Sequence, residues 1–267
     1  MGTISVSTTI AKDAQQQKVS GDFYRQYFWK DDDVRDAGFL RFIVDNVGHE
    51  RLVAASTLLD IGSGSGKFSI LLKRTYPHFW IEALDISPDN INTIEENVRK
   101  AGTEITTKEG SALDSPYDEG TFDIVLCVYR LQHTPDPHLG FLEAAHVTAP
   151  SGCALYSIGR ENGLGIIHQK TRGLLGSVPP SPRRSTVLPF VPLYWSLLKT
   201  TGRRKASEVD LTIDLVDWLY NPLQKFVPEE KIPAWFEEAG LTYTSVGFTG
   251  LLQSMLICRG IKQGPQL

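Results

Sequence analysis

Leu58-Leu59-Asp60-Ile61-Gly62-Ser63-Gly64-Ser65-Gly66-Lys67 is a strand-like apolar run that breaks into alternating glycines and continues as a helix from Phe68 to Thr75. Glycines at alternate positions let the backbone turn tightly and approach a ligand, and the helix behind them opens with unpaired N–H groups. A dinucleotide fingerprint would place a third glycine where Lys67 stands, so the turn does not fit the nicotinamide pattern. Beyond the turn, Phe79 to Asp85 is a second apolar strand, and Ser87-Pro88 opens a helix that runs to about Lys100 and stops at Gly102. Glu104 to Glu109, Phe122 to Val128 and Gly152 to Ile158 read as further strands, with a helix from Leu139 to Thr148 between the last two. Leu241 to Phe248 and Leu251 to Cys258 read as two strands around Thr249-Gly250, behind a helix from Pro228 to Ala239. Strands alternating with helices, and apolar along their whole length, predict an α/β fold. Its seven-stranded, mostly parallel sheet is covered on both faces and ends in an antiparallel C-terminal hairpin.

The rhythm breaks between residues 160 and 225, a segment holding Pro179, Pro180, Pro182, Pro189 and Pro192 and the basic run Arg203-Arg204-Lys205. We read it as an inserted helical cap. The expected organisation is therefore a mobile N-terminal tail (1–20), an N-terminal helical lid (21–50), the core (51–159), the cap (160–225) and the C-terminal part of the core (226–267). The chain has 267 residues, 41% of them apolar and 22% charged, with a net charge of -4. These figures exclude collagen-like, coiled-coil and wholly disordered classes. Residues 1–20 are polar and Gln-rich, and no stretch of about 18 apolar residues occurs, so a cytoplasmic protein without an integral membrane segment is expected. Cys127, Cys153 and Cys258 lie in apolar runs without metal or redox spacing, and no metal site is predicted.

Charge is unevenly spread. Residues 160–205 carry nine basic side chains and one acid, Glu161; this segment is thus +8, and the rest of a chain at -4 carries -12. A substrate phosphate or carboxylate, a membrane surface beside Val187 to Leu198, and a merely solvated face each account for this segregation.

Asp85 ends the second strand nineteen residues after Gly66, where a carboxylate can accept hydrogen bonds from ribose hydroxyls, or simply cap a turn. Gly110-Ser111-Ala112 follows the third strand, so several strand ends converge on one crevice. LLDIGSGSGKFS, ALDIS, EGSALDSPYDEGTFDIVLCVYRLQHTPDP and APSGCALYSIG, taken together over residues 55–160, resemble the successive motifs of class I S-adenosylmethionine-dependent methyltransferases of the small-molecule type. The resemblance implies a Rossmann-like fold with S-adenosyl-L-methionine as cofactor. It implies that Asp60, Gly62, Gly64 and Gly66, with Ser63 in the same turn, surround the methionyl part and that Asp85 holds the ribose. Ile86 and Ala112 would sandwich the adenine and Val128 would line the floor near the methyl. Ser111 departs from the pattern, since many relatives carry Asp or Asn there. Asp217-Trp218-Leu219-Tyr220-Asn221-Pro222 is similar to a bacterial subgroup in which a histidine often follows; here Lys225-Phe226-Val227 stands instead.

If the acceptor is a hydroxyl, a base must take its proton, and an imidazole suits neutral pH. His133, in Leu131-Gln132-His133-Thr134-Pro135-Asp136-Pro137, is the first candidate, and its alternative reading is a structural turn histidine. His168 and Glu161 are further candidates, or solvated residues. Tyr24, Tyr27, Phe28 and Trp29, with Phe190, Tyr194 and Trp195 of the cap, could build an aromatic pocket. The reaction expected is methyl transfer to an O, N or C acceptor on a small metabolite or natural product, the alternative being a non-methylating cyclisation or rearrangement on the same cofactor. The expected partners are a small-molecule substrate, anionic or partly apolar, and a second copy of the chain in a homodimer. Nucleic acid is not expected, because Val128-Tyr129-Arg130-Leu131 lacks the (N/D)PP(Y/F) element and the pI is near 5.9.

Overall fold

The computed structural model describes residues 33–161, 180–200 and 224–264 apart from 250–253, together with 211–212, 215–216 and 219–220. Residues 1–20, the aromatic segment 23–29 and His168 lie outside the described residues. Two helices, α1 (Asp33–Val47) and α2 (His49–Ala54), precede β1 (Thr57–Ile61), α3 (Lys67–Thr75), β2 (Trp80–Asp85), α4 (Pro88–Ala101), β3 (Thr106–Glu109) and β4 (Phe122–Cys127). After a 3₁₀ turn (Leu131–His133) come α5 (Pro137–His146) and β5 (Thr148–Gly159). The inserted segment contains α6 (Pro180–Val187) and α7 (Val191–Thr200), and the chain closes with α8 (Ile232–Glu238), β6 (Leu241–Thr249) and β7 (Met255–Lys262).

The seven strands form one sheet in the order β3-β2-β1-β4-β5-β7-β6. β1 to β5 are mutually parallel, and β7 lies antiparallel between β5 and β6. This is the Rossmann-like arrangement expected, with its C-terminal hairpin. The continuous apolarity of the strands has a direct cause. Leu59, Ile61, Val125 and Cys127 enter a core under α5 and α8, whereas Leu58, Ile124, Leu126 and Val128 enter a second core under α1, α2 and α3. Successive side chains leave opposite faces of a strand, and both faces here are dry. Phe141, Tyr156 and Phe236 interlock in the first core with ring centroids 4.4 to 5.6 Å apart. The three thiols are free and buried, and burial pushes Cys127 up to about 12, which leaves it unreactive.

Several element ends differ from the sequence reading. α5 begins at Pro137 rather than Leu139, because the Asp136 carboxylate accepts from the N–H groups of His138 and Leu139 at 3.1 and 3.0 Å. It also ends sooner, since Thr148 already opens β5. The last strand runs to Lys262, four residues beyond Cys258, and lies against β5 from Met255 to Ile261.

Candidate functional site

The glycine turn is held in a conformation that only glycine adopts without strain. Gly62, Gly64 and Gly66 have φ of +66°, +60° and +74°. The N–H groups of Gly62 and Ser63 both donate to the Leu84 carbonyl, at 2.7 and 3.0 Å, and that of Gly64 donates to Asp85 Oδ2 at 2.8 Å. The turn after β1 is therefore bolted to the end of β2. Gly66 begins α3 so close to α4 that a Cβ there would lie 2.9 Å from Cγ2 of the buried Ile94.

Beneath the turn Asp60 is only 3% exposed, and its Oδ2 accepts from the Ser69 hydroxyl of α3 at 2.7 Å. Burial pushes its carboxyl up to about 6, against the opposing pull of Ser69 and of the Arg130 guanidinium; the nearby Asp85 adds to the rise. Arg130 reaches the turn through a strained step. Tyr129 has φ of +60°, its N–H donates to the Ser157 hydroxyl, and its ring stacks on Phe42 of α1 with centroids 6.4 Å apart. The next side chain thereby lies across the glycines: a Cβ on Gly62 would fall 2.7 Å from Arg130 Cδ, and one on Gly64 2.8 Å from Nη2.

Of the two roles the sequence left open for Asp85, the structure shows the turn cap. Oδ1 accepts from the Ser87 N–H and the Asn90 Nδ2, both at 3.0 Å, and Oδ2 from Gly64. A carboxylate offers about four acceptor positions. Three are thus taken by the protein, and one remains for a ligand hydroxyl unless Asn90 moves. Ile86 is half-buried beside it. Ser111 and Ala112 are buried, and the Ser111 hydroxyl oxygen accepts from the Leu113 N–H at 3.0 Å. Val128 is packed in the second core, so its side chain is taken up by packing.

His133 stands in the 3₁₀ turn, half-buried, with Nε2 3.1 Å from Gln132 Nε2. Gln132 is itself buried, and its Oε1 has no hydrogen-bond partner among the described residues. Turning the amide over leaves its nitrogen in that position instead, so one end of Gln132 awaits a partner in either orientation. The Gln132 carbonyl accepts from the Lys225 N–H at 2.7 Å, Val227 donates to Gly159 at 2.7 Å, and Glu161 donates through its N–H to Val227 at 2.8 Å. The two ends of the inserted segment are therefore tied together beside Gln132. Glu161 lies at this root with its side chain exposed. Arg130 and Gln132 were not among the sequence candidates. An arginine and a glutamine following an apolar strand read as solvated, and the left-handed Tyr129 that redirects them has no sequence signal.

A buried acid, a surface cation and a strand-end carboxylate around a glycine turn are the donor set for a nucleoside that carries an amino-acid group. S-adenosylmethionine has that form, and the residues present fit it. Residues 58–152 match the family model described as Methyltransferase domain. Over this stretch the chain carries a methyltransferase domain. This methyltransferase domain is similar to the demethylmenaquinone methyltransferase of Deinococcus radiodurans, 30% identical over 112 residues, which are 39% of this chain and 46% of that protein. It is also similar to the ubiquinone biosynthesis O-methyltransferase of Maricaulis maris, 31% identical over 119 residues, 43% and 46% of the two chains. The chain thus matches about half the length of these curated relatives. The crystal structure of magnesium protoporphyrin IX methyltransferase from Synechocystis PCC 6803 with bound SAH superposes with a TM-score of 0.58, covering 96% of this chain and 99% of that one. At 14% identity that likeness is one of fold.

Proposed function

We propose that the whole chain transfers a methyl group from S-adenosylmethionine to an O, N or C atom of a small organic acceptor, a metabolite or natural product, with the 21–50 lid and the 160–225 cap enclosing that acceptor. The observation that carries this reading is the glycine turn clamped by Asp85, with buried Asp60 below it and Arg130 across it. The bound cofactor supplies an already electrophilic methyl, so the protein's task is to orient an acceptor and exclude water. In this reading Asp60 and Arg130 hold the two charged ends of the amino-acid group, Asp85 takes one ribose hydroxyl, and Ile86 and Ala112 flank the base. His133, oriented by Gln132, receives the acceptor's proton where the acceptor is a hydroxyl. One of the similar proteins is named for demethylmenaquinone and another for ubiquinone biosynthesis, which supports a small-molecule acceptor without specifying one.

The test is to mix the full chain with methyl-labelled cofactor and a panel of small phenols, amines and carbon acids. Label in the product, matched by demethylated cofactor, is the expected result. A product of unchanged mass would replace this reading with rearrangement chemistry, and failure to bind the cofactor would end it. His133→Ala is expected to lower turnover at least tenfold on a hydroxyl acceptor while cofactor affinity stays within twofold. Unchanged turnover removes His133 from the reaction.

A further inference from the structure

Eight large apolar side chains are exposed among the described residues, and four of them fall between positions 188 and 195: Leu188 (39%), Phe190 (57%), Leu193 (71%) and Trp195 (41%). Across the same stretch Val187, Val191 and Tyr194 turn inward and pack against Leu211, Val216 and Tyr220, so the element already has its own small core. The outward residues are surplus to that core. By helical rotation Phe190 and Leu193 lie on one flank of the buried stripe and Trp195 on the other. Apolar groups splayed around a short helix do not make a groove for a rigid partner, but they can all be immersed in a fluid apolar layer. Charge points the same way. Residues 162–206 contain eight lysines and arginines and no acid, and two of these, Arg183 and the exposed Arg184, precede the apolar residues on the same short stretch. A second copy pairing through the same face would bring like charges together, whereas an anionic lipid surface complements them.

We infer that the 183–195 face of the cap docks on the surface of an anionic lipid bilayer, with Phe190, Leu193 and Trp195 entering the interface and Arg183 and Arg184 meeting the headgroups. No helix among the described residues is long and apolar enough to cross a membrane, so the element lies on the surface. Because the inserted segment is rooted beside Gln132 and His133, docking carries the further consequence that amphiphilic acceptors are favoured. That consequence rests on the methyltransferase reading; the docking itself does not.

The experiment is co-sedimentation of the full-length chain, without cofactor or acceptor, with phosphatidylcholine vesicles containing 0 or about 30% phosphatidylglycerol. The anionic vesicles are expected to bind at least tenfold more protein, with a blue shift of tryptophan emission that Trp195→Phe abolishes. Phe190→Ser with Leu193→Ser should lower partitioning at least tenfold, and Arg184→Glu several-fold, with circular dichroism and thermal midpoint unchanged because the altered side chains are exposed. Protein left in the supernatant with both vesicles overturns the inference. So does binding that is indifferent to Phe190→Ser with Leu193→Ser, which would make the segment a merely solvated cationic face. Lipid-independent self-association abolished by those same changes would assign the face to a second copy and also overturn it. None of these readings requires methyl transfer, so failure here and failure of the enzymatic assignment are distinguishable.

Discussion

Asp60 is the residue at which the chain gives up stability to keep a charged group in place. Its folded-state pKa of about 6 lies above the ordinary 3.8, so the native chain retains a proton that the unfolded chain has released. The stability this contributes is complete below about pH 4 and is lost as pH rises through 6. Asp60→Asn removes the dependence: between pH 5 and 7.5 wild type should lose roughly 1 kcal/mol relative to the variant in denaturant unfolding. The same variant should bind demethylated cofactor at least tenfold more weakly by calorimetry at pH 7.5. A variant that binds as tightly as wild type would remove Asp60 from the cradle. The glycines differ in what a methyl group would meet. At Gly64 the obstacle is the mobile end of Arg130, so Gly64→Ala should cost ~1–2 kcal/mol, mostly backbone strain. At Gly66 it is the fully buried Ile94, which cannot retreat, and Gly66→Ala should cost ~2–4 kcal/mol. Chemical denaturation orders the two; equal costs would mean that α4 moves freely.

At the scale of elements, legibility followed the range of the forces involved. The strand before the glycine turn and the helix from Pro88 are both legible, because strand apolarity, a serine cap and a left-handed glycine stop are all local signals. The start of α5 was misplaced because the sequence Pro135-Asp136-Pro137 reads as a loop, although Asp136 is the cap and Pro137 fits the first helical position. Arg130 was invisible for a longer-range reason. Its position depends on Tyr129 being held left-handed by Ser157, 28 residues away, and by a ring from α1. Separating these effects gives a prediction for the Gln132-to-Pro137 segment. Asp136→Ala leaves two N–H groups of α5 without their acceptor and should cost ~1 kcal/mol in thermal or denaturant unfolding. Cofactor affinity should remain within twofold, because Asp136 faces the helix and not the glycine turn. A large loss of affinity would show that the turn carrying His133 is positioned by this cap.

The whole molecule divides at the root of the inserted segment. Gly159, Arg160 and Glu161 leave β5 alongside Lys225 and Val227, joined by a parallel bridge at Arg160 and Val227 and by the hydrogen bonds of Val227 and Glu161. The cap's buried residues form a cluster distinct from the two that sandwich the sheet. Independent cores joined through a closed neck behave as separable units. Excision of residues 163–223, bridged by a flexible linker of about eight residues that spans the neck at ~3.3 Å per residue, should therefore leave the methyltransferase domain folded. The excised chain should keep a cooperative thermal transition and bind demethylated cofactor within about threefold of the full chain, since Asp60, the glycines, Asp85 and Arg130 all lie outside the deletion. Turnover of any acceptor accepted by the full chain should fall by two orders of magnitude or more if, as proposed above, the excised residues supply one wall of the enclosure that excludes water. Scanning calorimetry and cofactor titration read the first expectation and product formation the second. Loss of the thermal transition would mean that the cap supports the sheet, whereas full activity after excision would mean that the acceptor is held by the core and α1 alone.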